Sequence, residues 1–111
     1  MPKHDPMVAL RQMSEAAREA IELAAGKSRK DLDSDRLLSL ALVRLLEVLG
    51  EAASRVPGEV RELHHDIPWA EMIGMRNRLI HGYDHVDHDI VWAVVANDLP
   101  SLVMALQRIT G

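Results

Sequence analysis

Apolar residues recur along this chain at three- and four-residue spacing, in blocks separated by polar or Pro/Gly-containing stretches, and that period belongs to helices, not strands. The first block carries Leu10, Met13, Ala17, Ala20, Ile21 and Ala24, opens at Asp5-Pro6 and ends at Gly26. Asp caps free N–H groups, Pro suits the first helical position, and Gly ends a helix without steric cost. The polar stretch KSRKDLDSD reads as a connection. A second helix is expected from near Asp33-Ser34 to about Arg55, with Leu38, Leu42, Leu45, Leu49 and Ala52 as its stripe, widened by Ala41, Val48 and Ala53.

Pro57-Gly58 stops that helix, and VRELHHDI follows as a loop or a single weak turn. Pro68 starts a third, shorter helix, WAEMIGMRNRLIH, which fails at Gly82, and YDHVD forms a second loop. Asp87 caps a fourth helix whose stripe runs through Ile90, Val91, Val94, Val95, Leu99, Leu102, Leu106 and Ile109. Pro100 falls inside this pattern without disturbing its phase, which predicts one kinked helix and not two. The expected fold is an all-α, antiparallel four-helix bundle with a kinked C-terminal helix.

The 111 residues suffice for one compact domain, expected to span 1–111, whose modest core leaves apolar surface for a partner or a second copy. The aromatic residues are Trp69, Tyr83 and Trp92, and the abundance of Leu, Ala, Glu and Arg again disfavours a β fold. With no Cys, disulfide frameworks, thiol catalysis and thiolate metal sites are excluded together. The longest apolar run, Ile90 to Ala96, is too short to cross a bilayer, and MPKHDPMVALRQMSE lacks the apolar core of a signal peptide. A cytoplasmic domain with no membrane partner is the expectation. The net charge of -4 provides no global attraction for nucleic acid, so any such chemistry needs a local basic spot.

That spot is Arg76-Asn77-Arg78-Leu79-Ile80-His81-Gly82-Tyr83. On an ideal helix Asn77 and Arg78 are neighbours of His81, whereas Arg76 lies about 140° around the axis from it. One chain alone therefore does not aim Arg76 and His81 at the same atom; a partner surface or a distorted last turn is needed. A helix C-terminus is a suitable place for an imidazole acting as general acid or base. Read from spacing alone, the same residues also suit a solvated helix end with His and Gly-Tyr as stop signals. His81, Asp84, His85, Asp87 and His88 crowd together, with His64-His65 in the preceding loop, but no spacing matches a zinc helix, and no metal site is expected. Trp69, Met72 and Met75 beside the cluster are expected to pack in the core or a dimer interface.

The string MRNRLIHGY resembles the Arg-x4-His-x-Tyr motif of HepT-type toxins in the HEPN family. Leu49-Gly50-Glu51-Ala52-Ala53 is similar to that family's Gly-Glu-Ala stretch, and Ile67-Pro68-Trp69 to its Pro-Trp entry to the motif helix. Tyr83 to Val86-Asp87, then Val91-Trp92 and Asp98-Leu99-Pro100, resemble its C-terminal signature, so the likeness runs from about residue 37 onward. The resemblance implies a helical bundle, a homodimer with Arg76 and His81 of both subunits lining one cleft, and a metal-independent endoribonuclease toxin without cofactor. It also implies a minimal nucleotidyltransferase antitoxin that silences the toxin by adenylylating Tyr83.

In that reading His81 exchanges protons with the RNA 2′-OH or the leaving 5′-oxygen, and Arg76 holds the scissile phosphate. Asn77 orients the imidazole or bonds the phosphate, and Arg78 supports phosphate binding. Asp84, Asp87 and Asp89 oppose the two arginines, so RNA affinity is expected to be weak and salt-sensitive, as suits an abundant structured substrate such as tRNA. Two alternatives stand beside it. One is a non-catalytic module that binds a nucleotidyltransferase; the other is a nucleotide-binding module that holds its ligand near Arg76 and Arg78 without cleavage.

Overall fold

The computed structural model describes residues 5–82 and 85–111. Helix α1 spans Pro6–Ala24, and Asp5 caps it by accepting a hydrogen bond from the Met7 N–H at 2.9 Å. Helix α3, Arg36–Ser54, starts two residues later than expected, because Asp35 is the residue whose carboxylate accepts from the Leu38 N–H. The stretch read as a plain connection contains a one-turn helix, α2 (Asp31–Ser34), which buries Leu32. Helix α4, Gly58–Leu63, replaces the expected loop or weak turn and buries none of its residues.

Helix α1 packs most extensively against α3 and next against the last helix. Arg55 just past α3 bonds Gln12 in the first half of α1, which sets the two helices antiparallel. Leu10, Met13, Ala17 and Ala20 meet Leu42, Leu46, Leu49 and Ala53 in one apolar core with Leu99, Leu102 and Leu106. On α3 the buried face is rotated from the expected stripe. Val43 and Leu46 are buried, while Leu45 and Val48 are only partly so. The second side of α3 carries Leu37 and Leu40, 79% and 51% exposed.

The C-terminal segment is one continuous helix over His88–Thr110, as expected across Pro100. It begins as α7 (His88–Ala93), passes through a π turn (Val94–Asp98) and continues as α8 (Leu99–Thr110). Pro100 has no N–H and its ring crowds the carbonyl four residues back. The wider π turn accommodates this, with the Leu99 N–H bonding the Val94 carbonyl. By length and composition this helix could cross a bilayer, at a mean hydropathy of 1.5. In the fold its apolar side, from Val91 to Leu106, lies in the core.

The third helix departs most from expectation. It is two short helices, α5 (Trp69–Ile73) and α6 (Met75–Leu79), separated at Gly74. The chain then becomes extended: β1 (Ile80–His81) pairs antiparallel with β2 (His85–Val86), with Ile80 opposite Val86 and His81 opposite His85. Gly82, with φ of +66°, opens the turn out of β1 in a conformation that other residues resist. His81 therefore lies two residues beyond the end of α6, and the expected sharing of one helical face with Asn77 is lost. Tyr83 and Asp84, both singled out in the sequence, lie outside the described residues.

Gly50 explains how this broken segment is seated on α3. A Cβ at Gly50 would lie 2.6 Å from the Met72 carbonyl oxygen and 3.2 Å from the Met75 Cβ. Only glycine lets the α5–α6 junction approach this closely, which gives the Gly-Glu-Ala stretch a packing reason. Because the obstacle is backbone, Gly50→Ala forces α5–α6 off α3. The expected cost is about 1–3 kcal/mol, read as a lower urea unfolding midpoint at unchanged slope.

Candidate active site

Arg76 projects from the first turn of α6 toward α3, where its Nη1 donates to Glu47 Oε2 at 3.1 Å. The arginine side chain is 67% exposed and the glutamate 19%, so a half-sheltered carboxylate holds a solvent-facing cation. A hollow of about 190 Å³ beside it is lined by Glu47, Gly50, Glu51, Ser54 and Ile73. Asn77 is exposed. Arg78 turns to the C-terminal helix, where its Nη2 lies 3.5 Å from Asp98 Oδ2 on the π turn. Its Nη1 is buried and has no hydrogen-bond partner among the described residues.

His81 belongs to the hairpin, not to a helix end. Its ring is 55% exposed, and Nε2 lies 3.5 Å from Asp87 Oδ2. Asp87 also caps α7 as expected, accepting from the Ile90 N–H at 3.1 Å. Among the described residues no hydrogen bond or ion pair joins Arg76, Asn77 or Arg78 to His81. Arg76 is tied to α3 and His81 to the head of α7. Within one chain the two motif residues are thus both accessible, and each is held by a carboxylate from a different helix.

Sequence reasoning missed Glu47, which lies 29 positions before Arg76 with no local signal linking them. It also missed a network behind the hairpin. His88 Nδ1 contacts Asp33 Oδ1 at 2.9 Å, and Nε2 lies 3.0 Å from Ser39 Oγ. With neutral His88 donating from Nδ1, Nε2 accepts the Ser39 hydroxyl; a protonated ring donates to both. Arg29 completes the brace through Asp33 at 3.0 Å and Asp89 at 2.6 Å. Both ring nitrogens of His88 are therefore engaged away from His81. Among the described residues no three His, Asp or Glu side chains converge as a metal site.

A family profile described as ribonuclease HepT-like matches residues 13–109. This chain belongs to the HepT-like ribonuclease family, within the HEPN group. A protein named "Probable ribonuclease HepT" from Thermococcus cleftensis is 42% identical over 88 residues, covering 76% of this chain and 80% of that one. "Putative RNase TTE0752" of Caldanaerobacter subterraneus subsp. tengcongensis is 40% identical over 89 residues, covering 80% of each chain. "Putative RNase MJ1380" of Methanocaldococcus jannaschii is 32% identical over 102 residues, covering 92% of this chain and 94% of that one. No solved structure matches the chain. The HepT-like match also takes in α1 from Met13 onward, where the motif blocks gave only a pattern.

The brace has a pH signature. Hydrogen bonds from His88 and then Arg29 hold the Asp33 carboxyl below the ordinary aspartate range. A depressed carboxyl stabilises the fold above its unfolded pKa and loses that contribution as pH falls through its folded value. Asp33→Asn is therefore expected to be less stable than the parent at pH 7. The difference narrows as pH drops below about 4, as measured by urea unfolding at each pH.

Proposed function

We propose that this protein is a metal-independent endoribonuclease that works as a homodimer and serves as the toxin of a toxin–antitoxin pair. The observation that carries the reading is that Arg76 and His81 of one motif are both exposed, in a chain of the HepT-like family. The separate anchoring of the two residues is what a composite cleft calls for. A second copy related by a two-fold axis adds its own Arg76 and His81 to the same groove.

The face of α3 beside Arg76 suits that partner. Leu37, Leu40, Arg44, Glu47 and Glu51 follow helical spacing along it, and Ile73 is exposed next to them. Arg44 pairs with Glu51 and Arg76 with Glu47, so the face carries both signs and can meet a copy of itself across a two-fold axis. In the cleft Arg76 takes the scissile phosphate and offsets the charge growing on its oxygens. His81 accepts the proton of the 2′-OH as that oxygen attacks phosphorus. The bond to the 5′-oxygen breaks, an imidazolium returns a proton to it, and a 2′,3′-cyclic phosphate remains. The nucleophile belongs to the substrate, so DNA is spared. Asn77 and Arg78 extend phosphate binding once RNA competes with Asp98 for the guanidinium.

The partner that controls the toxin is a minimal nucleotidyltransferase. It transfers AMP from ATP to the Tyr83 hydroxyl, with release of pyrophosphate, and the added phosphate and base block RNA. The protein acts in the cytoplasm, on RNA such as tRNA. A second reading, a non-catalytic partner-binding module, draws support from one feature: Arg76 and Arg78 already face carboxylates.

The deciding experiment incubates the protein, verified by mass to be unmodified at Tyr83, with total RNA in excess chelator. Parent protein is expected to leave 2′,3′-cyclic ends. His81→Ala and Arg76→Ala are expected to lose activity by at least about 100-fold with unchanged helical circular dichroism. Equal cleavage by parent and His81→Ala, or none by the parent, overturns the ribonuclease reading.

A further inference from the structure

Asp87 is held from three directions. Its backbone N–H donates to the Leu79 carbonyl at 2.8 Å, which ties it to the end of α6. Its Oδ1 accepts from the Ile90 N–H at 3.1 Å, and its Oδ2 faces His81 Nε2 at 3.5 Å. Turning the carboxylate away from His81 would break the cap of α7. The helix head is itself fixed, since the next two residues, His88 and Asp89, are braced to Ser39, Asp33 and Arg29. The side chain thus presents one oxygen to the helix and the other to the imidazole, on a support that does not slide.

We infer that Asp87 is the positioning residue of the site, taking His81 by Nε2 and leaving Nδ1 as the nitrogen that meets RNA. This rests on the ribonuclease reading above. A helix cap needs one side-chain oxygen, and Asn or Ser supplies it as well as Asp does. The second carboxylate oxygen has no part in the cap, and its neighbour is His81. As an acceptor it selects the tautomer protonated at Nε2, which places the basic lone pair on Nδ1. Once Nδ1 has taken the 2′-OH proton, the same carboxylate faces the imidazolium it must stabilise. At 3.5 Å the contact is open in the free protein, and such contacts tighten when substrate is bound.

Asp87→Asn isolates this role. Its carbonyl oxygen must stay on the Ile90 N–H to keep the cap, so its NH2 group replaces the acceptor facing His81. A donor there reverses the tautomer, puts the proton on Nδ1 and removes the base. The expected result is a parental unfolding midpoint, kcat lower by about 10- to 100-fold and KM unchanged. Two-bond 1H–15N correlation spectra of the imidazole are expected to show His81 protonated at Nε2 in the parent and at Nδ1 in the variant. Asp87→Ser keeps the cap but cannot reach the ring, and it is expected to lose kcat to a similar extent. Parental kcat in Asp87→Asn, or the same His81 tautomer in both proteins, overturns the inference. If the parent cleaves no RNA, the ribonuclease reading fails alone, because the tautomer comparison still decides whether Asp87 sets the ring.

Discussion

The approach of α3 to the α5–α6 junction at Gly50 is the contact on which the site depends. Where a side chain would stand on α3, the Met72 carbonyl and the Met75 side chain lie against the helix backbone. Met72 and Met75 are fully buried there, so the junction is anchored in the core on both sides of Gly74. This depth of seating brings the first turn of α6 beside Glu47 and sets where Arg76 leaves the surface. A helix that ran unbroken from Trp69 to His81 would carry the histidine round on the same cylinder. The actual segment stops at Leu79 and hands His81 to a hairpin fixed to α7 through Asp87.

Electrostatics follow from that geometry. Arg76, Arg78 and His81 point to Glu47, Asp98 and Asp87, on three different elements. An exposed cation such as Arg76 gains little from its partner, so that pair orients more than it stabilises. In a protein of net charge -4 the motif's cations thus lie beside carboxylates and form no open basic patch. Any anion approaching Arg76 meets a guanidinium already bonded to Glu47. The carboxylates are therefore part of the site's geometry.

The histidine-rich stretch separates into two jobs once folded. His81 faces solvent on β1, while His88, one helical residue past Asp87, is turned back and bridges α7 to α2 and α3. Proximity in sequence suggested one cluster. The change from strand to helix between them sends the two rings to different sides, and the brace behind the hairpin is the outcome. The four-residue α2 exists within this brace: it buries Leu32 and brings Asp33 to His88.

The sequence by itself determined the helical class, the placing of the long helices and the capping residues Asp5 and Asp87. Those depend on local periodicity and on side chains bonding N–H groups two or three residues away. It also marked Arg76 and His81, because a motif is a pattern along the chain. The tertiary structure alone decided that the third helix breaks at Gly74 and ends at Leu79. The apolar pattern runs across them and Gly74 only weakens the helix locally, while Met72 and Met75 pack on Gly50 and Ile80 pairs with Val86. It alone decided the rotation of α3 that buries Leu46 and leaves Leu45 half-covered, since the stripe on that helix is wide enough to allow several faces. It likewise gave Arg76 its Glu47 and His88 its Asp33 and Ser39, contacts 29, 55 and 49 residues apart, which no local spacing encodes.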